Sequence, residues 1–115
     1  MANIIYKIED ASVWRAAQSQ GLYEGSALDK ADGFIHLSAA DQVRQTALTW
    51  FAGRKGLILA HIDADALGDT LKWEASRGGA LFPHNFGPLP MRVVLNVETL
   101  ELDGEGNPIF GPDIP

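Results

Sequence analysis

Three side chains able to hold a small ligand or move a proton, His36, Arg77 and His84, stand in the middle of a 115-residue chain that has no cysteine. An imidazole titrates near neutrality, and a guanidinium offers a fixed fork of donors to a carboxylate or phosphate. His36 lies between Ile35 and Leu37 in an alternating run, so its ring points away from theirs, toward a cleft while they enter the core. Ser38 falls on the same side and either orients a ribose hydroxyl or carboxamide or caps the following helix. Arg77 precedes Gly78 and Gly79, which let backbone N–H groups turn toward an anion without Cβ interference. The plainer alternative pairs Arg77 with Glu74 or Asp69 at a tight turn. His84 follows Pro83 and precedes Asn85, Phe86 and Gly87. The whole stretch WEASRGGALFPHNFG, Trp73 to Gly87, is too polar for a core strand and too apolar for a linker, as a pocket wall would be. Trp73, Phe82 and Phe86 either stack a nucleobase or belong to the core.

Composition narrows the chemistry. Without cysteine there is no disulfide, thiolate nucleophile, thiolate zinc site or iron–sulfur cluster. His36, His61 and His84 are too scattered to suggest a metal site, and no HExxH, GxSxG, Walker or GxGxxG pattern occurs. The net charge of −6 argues against a broad DNA or RNA surface. From Val93 to Pro115 there are five acidic residues and no Lys or Arg, whereas Arg44, Arg54, Lys55, Lys72, Arg77 and Arg92 fall mid-chain. These cations either line a local pocket for one small anion or are simply solvated. No run approaches the ~20 apolar residues of a membrane helix, and the start MANIIYKIED carries no export signal, so a cytoplasmic, membrane-free protein is expected.

The elements that must position these groups follow from periodicity. Ile4, Ile5, Tyr6 and Ile8 read as a strand, then Asp10 or Ser12 caps a helix ending before Gly21, with Val13, Trp14 and Ala17 on one face. LYEGSALDKADG reads as turns and loop, and Phe34–Leu37 as a short strand. Ser38 with Asp41 resembles a capping box for a helix bearing Val43, Ala47, Trp50 and Phe51, which stops at Gly53. LILAHI, Leu57–Ile62, suits a strand buried on both faces. Asp63–Gly68 forms a turn or one helical turn. Leu71, Trp73 and Ala75 mark the buried side of another strand, and Met91–Leu100 is the longest strand candidate. The pattern is an α+β chain of five or six strands and two main helices, one domain over 1–115 with an irregular tail from about 103.

The succession IYKI, Trp14 with Ala17 and Gly21, YEGS, DGFIHLS, TALTWFAG, LKWEASRGG and LFPHNFG resembles the small bacterial proteins grouped as DUF952, over residues 4 to about 100. That family in turn resembles the ADP-ribosyltransferase superfamily, which includes the RNA 2′-phosphotransferases. The resemblance implies a split α+β fold, with two small, mostly antiparallel sheets around a nucleotide-sized cleft. It implies that His36 holds the nicotinamide-proximal ribose of NAD, that Tyr23 and Ser38 line its surroundings, and that Arg77, His84 and the Gly78–Gly79 backbone meet phosphate. Glu98 or Glu74 is the candidate for a carboxylate that steadies a ribosyl cation. The expected function is processing of NAD, an ADP-ribosyl group or a 2′-phosphate, with NAD as substrate. The alternatives are a non-catalytic module for a small anion or nucleotide and a protein–protein interaction domain.

Overall fold

A computed structural model describes residues 3–112, 114 and 115, with the Arg77 side chain outside the description. In chain order the elements are β1 (Ile4–Asp10), α1 (Ala11–Gln20), β2 (Leu22–Tyr23), α2 (Ala27–Asp32), β3 (Ile35–His36), β4 (Ser38–Ala39), α3 (Val43–Trp50), β5 (Leu57–Asp63), β6 (Leu71–Ala75), β7 (Leu81–Asn85), β8 (Leu89–Pro90) and β9 (Val94–Leu100). Short 3-10 segments cover Ala64–Thr70, Arg77–Gly79 and Met91–Val93. The result is a mixed α/β architecture in which every strand pair is antiparallel.

The apolar run at Leu57–Ile62 becomes β5, flanked by β1 and β9 in a four-stranded sheet of order β4-β1-β5-β9. Its side chains alternate between two cores, which is why the run has no polar phase. Ile58, Ala60 and Ile62 join Ile5, Trp14, Ala17, Tyr23, Ile35 and Leu89 in the main core under α1. Leu57 and Leu59 join Tyr6, Ile8, Val43, Ala47 and Ile114 in an outer core under α3. Two smaller sheets, β2-β8 and β3-β7-β6, complete the fold.

Several expectations are revised. The segment read as loop between Leu22 and Gly33 contains α2, closed by a Ser26–Asp29 capping box. Ser38 and Asp41 do not cap α3; Gln42 holds the N-cap position, with its side-chain oxygen accepting from Ala39 N–H. The run Phe34–Leu37 is not one strand continuing toward Ser38. The chain changes sheet at Leu37, so β3 pairs with β7 while β4 pairs with β1. On α1, Trp14 and Ala17 are buried but Val13 is exposed. On β6, Trp73 is 47% exposed because this strand forms the edge of the three-stranded sheet and extends past the core. Met91–Val93 is a 3-10 turn, so the last strand starts at Val94. Beyond Asp103 no helix or longer strand forms among the described residues, yet Phe110 and Ile114 pack on the outer core, and Arg44 donates to the Ile114 and Pro115 carbonyls.

Gly25 is the backbone position with least freedom of substitution. Its φ is +106°, and a Cβ there would lie 2.8 Å from the Asp29 Cβ, whereas Gly53, also at positive φ, faces open space. Gly25→Ala therefore combines backbone strain with a clash and is expected to cost about 2–4 kcal/mol in urea unfolding. Gly53→Ala should lose only about 1 kcal/mol.

Candidate functional site

The sheet β3-β7-β6 brings distant parts of the sequence into one row: His36 lies opposite His84, and His84 opposite Lys72. Because side chains alternate along each strand, Phe34 and His36, Phe82, His84 and Phe86, and Lys72 and Glu74 share one face. Ile35 and Leu37 turn to the core, leaving the His36 side chain 33% exposed as the alternation predicts. The two imidazole centroids are 5.6 Å apart. Phe34 stacks on His84 at 4.2 Å, leans on His36 at 4.7 Å and meets Phe86 at 5.2 Å.

Carboxylates fix both rings. His84 Nδ1 lies 2.9 Å from Glu74 Oε1, and its Nε2 has no partner among the described residues. A carboxylate only accepts, so Nδ1 donates to Glu74, and in the neutral ring Nε2 is then an acceptor. His36 Nδ1 lies 2.6 Å from Asp29 Oδ1, and its Nε2 lies 3.0 Å from Asp32 Oδ2. Asp32 is 43% exposed, so a ligand can displace this second contact without leaving a buried charge unpaired.

Below the histidines is a buried polar floor. Asp29, 2% exposed, accepts from the Lys7 ammonium at 2.8 Å, the Ser26 N–H at 2.8 Å and the His36 N–H at 3.1 Å. Lys7 also donates to the His36 carbonyl at 3.0 Å. Burial works to raise the Asp29 pKa, but the Lys7 charge and hydrogen bond, with those from Ser26 and His36, hold it below the ordinary carboxylate value. Beside this pair, the Tyr23 hydroxyl donates to Glu9 Oε2. Burial, then the hydrogen bond and negative charge of Glu9, push the Tyr23 hydroxyl well above its ordinary pKa, so it stays a neutral donor.

The remaining candidates are dispersed. Tyr23 is buried in the main core, facing Glu9 and packed against Trp14. Ser38 Oγ pairs with Thr46 Oγ1 at 3.0 Å on the β1–β4 side. The Arg77 backbone lies in the turn joining β6 to β7; its side chain falls outside the described residues. Gly78 and Gly79 adopt positive φ there, and the Gly79 N–H donates to the Ser76 carbonyl. Glu98 pairs with His61 at 2.5 Å on the outer-core face of the large sheet, away from His36. Trp73 is on the opposite face of β6 from the imidazoles. A concavity of about 190 Å³, lined by Glu24, Asp29, Lys30, Gly33, Phe34, Ile35, Asn85, Gly87 and Pro88, flanks Phe34. Among the described residues no cluster of three His or carboxylate side chains is arranged to hold a metal ion, and no helix is long and apolar enough to cross a membrane.

Sequence reasoning missed Lys7, Glu9, Asp29 and Phe34. Two signals were present. Lys7 and Glu9 share a face with Ile5 in a strand whose other phase is Tyr6 and Ile8, and Ser26-x-x-Asp29 is a capping box.

Asp29→Asn leaves the buried Lys7 charge uncompensated and is expected to cost about 3–5 kcal/mol at pH 7 in urea unfolding. Folding lowers the Asp29 pKa, so its contribution is complete above the unfolded value of about 3.9 and fades as pH falls through the lower folded value. The stability gap between wild type and Asp29→Asn should therefore narrow as unfolding is followed down from pH 5 across that window.

Comparison with known proteins bears out the resemblance to the DUF952 proteins. The chain matches the family described as protein of unknown function DUF952 over residues 8–97. It is similar to the X-ray crystal structure of protein CC0527 from Caulobacter crescentus, at 50% identity and a TM-score of 0.92, covering 96% of this chain and 97% of that one. It is also similar to the solution NMR structure of CC0527, at 52% identity and a TM-score of 0.83, covering 91% and 90%. Among curated proteins, none matches. The match over residues 8–97, which contains His36 and His84, makes this chain a member of the DUF952 family.

Proposed function

We propose that the face bearing His36 and His84 binds a nucleotide-sized ligand and processes an NAD, ADP-ribosyl or 2′-phosphate group. The observation that carries this reading is the in-register imidazole pair, 5.6 Å apart, with each Nδ1 held by a carboxylate. An anchored imidazole with an outward Nε2 is the arrangement a proton-transfer group needs. In this reading His36 releases Asp32 and donates to a ribose hydroxyl. Phe34 and Phe86 cover the sugar and base, and Arg77 supplies positive charge from the hairpin. With NAD, the bond between the ribose carbon and nicotinamide breaks, nicotinamide leaves with the electron pair, and an acceptor oxygen takes the carbon while His84 Nε2 takes the acceptor's proton.

A second reading, a binding module without turnover, is favoured by the carboxylates. Glu98 is engaged with His61 across the large sheet, and Glu74 is engaged with His84. Among the described residues the carboxylates at the outer edge of this face, Asp32 and Glu74, are each engaged by an imidazole, so one of them must leave its ring to face a ribosyl cation.

Calorimetric titration with NAD and ADP-ribose should show saturable binding, weakened about tenfold or more by His36→Ala and by His84→Ala, the range for losing a hydrogen bond to a charged group. His61→Ala, altered on the other face, should bind as wild type. Nicotinamide released during incubation with NAD identifies an enzyme, and binding without release identifies the module. Absence of binding at millimolar ligand, or equal loss in all three variants, contradicts both.

A further inference from the structure

Strand β6 is an edge strand, paired only with β7. Ser76 N–H donates to the Ala80 carbonyl at 2.9 Å and Phe86 N–H to the Thr70 carbonyl at 2.8 Å, marking the two ends of the β6–β7 ladder. Hydrogen-bonded pairs alternate along an antiparallel ladder, so Lys72 and Glu74 also turn their backbone groups to β7. Leu71, Trp73 and Ala75 then turn theirs away. Pro83 opposite Trp73 agrees with this phase, since proline has no N–H to give there. The Leu71 N–H is taken by the Gly68 carbonyl. The Leu71 carbonyl and both backbone groups of Trp73 and Ala75 have no ladder partner among the described residues, because β6 neighbours only β7.

We propose that this edge pairs with the same edge of a second copy, in an antiparallel register centred on Trp73. LKWEA is complementary to itself in that register. Trp73 meets its counterpart, the Ala75 N–H reaches the Leu71 carbonyl of the other copy in each direction, and Lys72 falls opposite Glu74 twice. The Lys72–Glu74 positions are the non-hydrogen-bonded ones, where facing side chains approach most closely, about 4.5–5.5 Å between Cβ atoms. Sliding by two residues either way places Lys72 on Lys72 or Glu74 on Glu74. The charges that ordinarily shield an edge strand thus exclude the neighbouring registers and favour this one. The half-exposed Trp73 rings are covered on the face away from the histidines.

The pairing is a twofold about the sheet normal, so both histidine faces lie on the same side of a continuous six-stranded sheet. The two β7 strands are three spacings apart, about 14 Å. Each Lys72 ammonium arrives beside the Glu74 of the other copy, the carboxylate that holds His84. The partner copy thereby contributes a cation to the candidate site. The association itself does not depend on what that site binds.

Sedimentation velocity on the full chain, from about 1 to 500 µM, should show the mass rising from the 12.4 kDa of one chain toward twice that value. Lys72→Glu puts like charges in both contacts and should weaken association about tenfold or more, while the double change Lys72→Glu with Glu74→Lys restores it. Ala75→Pro removes only an outward N–H and should give a folded monomer, with circular dichroism as the check on folding. A wild-type monomer at every concentration, a Lys72→Glu protein that associates as wild type, or failure of the double change to restore association overturns the proposal.

Discussion

The structure depends on one buried ion pair, Lys7 with Asp29. Lys7 sits on the inner face of β1 in the large sheet, and Asp29 on α2 beside the small sheet. Each charge alone would be costly to bury; together they are satisfied only if α2, the strand carrying His36 and the large sheet adopt one mutual arrangement. Asp29 meets its capping, ion-pair and imidazole partners at once, so the same carboxylate that starts α2 also sets the His36 ring. The close approach at Gly25 follows from this, because the loop must pass against the Asp29 side chain for its N-terminal turn to form.

Much of the fold could be read from local pattern. The unbroken LILAHI run gave a central strand, Gly21 ended α1 with a left-handed cap, and the alternation around His36 gave its exposure. Failures arose where non-local pairing overruled local pattern. The switch of sheets at Leu37 depends on β1 and β7, neither near in sequence, and so does the registry of His36 with His84. Helix α2 was hidden by Gly and Asp content that suggests a loop, although its capping box was visible. Strand β6 alternates as a half-buried strand should, but it projects beyond the core, and sequence carries no measure of where a core ends.

At the candidate site, carboxylates rather than cations organise the imidazoles. Each histidine in the chain has a carboxylate partner, yet only His36 and His84 share a face, where Phe34 stacks on His84 and leans on His36; the concavity beside Phe34 opens among Asp29, Ile35 and Asn85 and is lined by neither imidazole. Asp29, Asp32 and Glu74 surround the rings; Lys7 is taken up by Asp29, and the chain's own Lys72 stands opposite His84, so in the readings proposed above Arg77 and a second copy's Lys72 add to a small positive charge already on this face. A free sheet edge next to an acidic histidine face therefore bears on chemistry as well as on assembly.

The central claim is that the Asp29 carboxylate, held by Lys7, fixes the His36 ring. Long-range proton–nitrogen NMR of imidazole-labelled protein near neutral pH tests it directly. The account predicts a slowly exchanging proton on Nδ1 of both His36 and His84, with His84 Nε2 unprotonated. A His36 ring that averages between tautomers, or a His84 protonated on Nε2 alone, would contradict it.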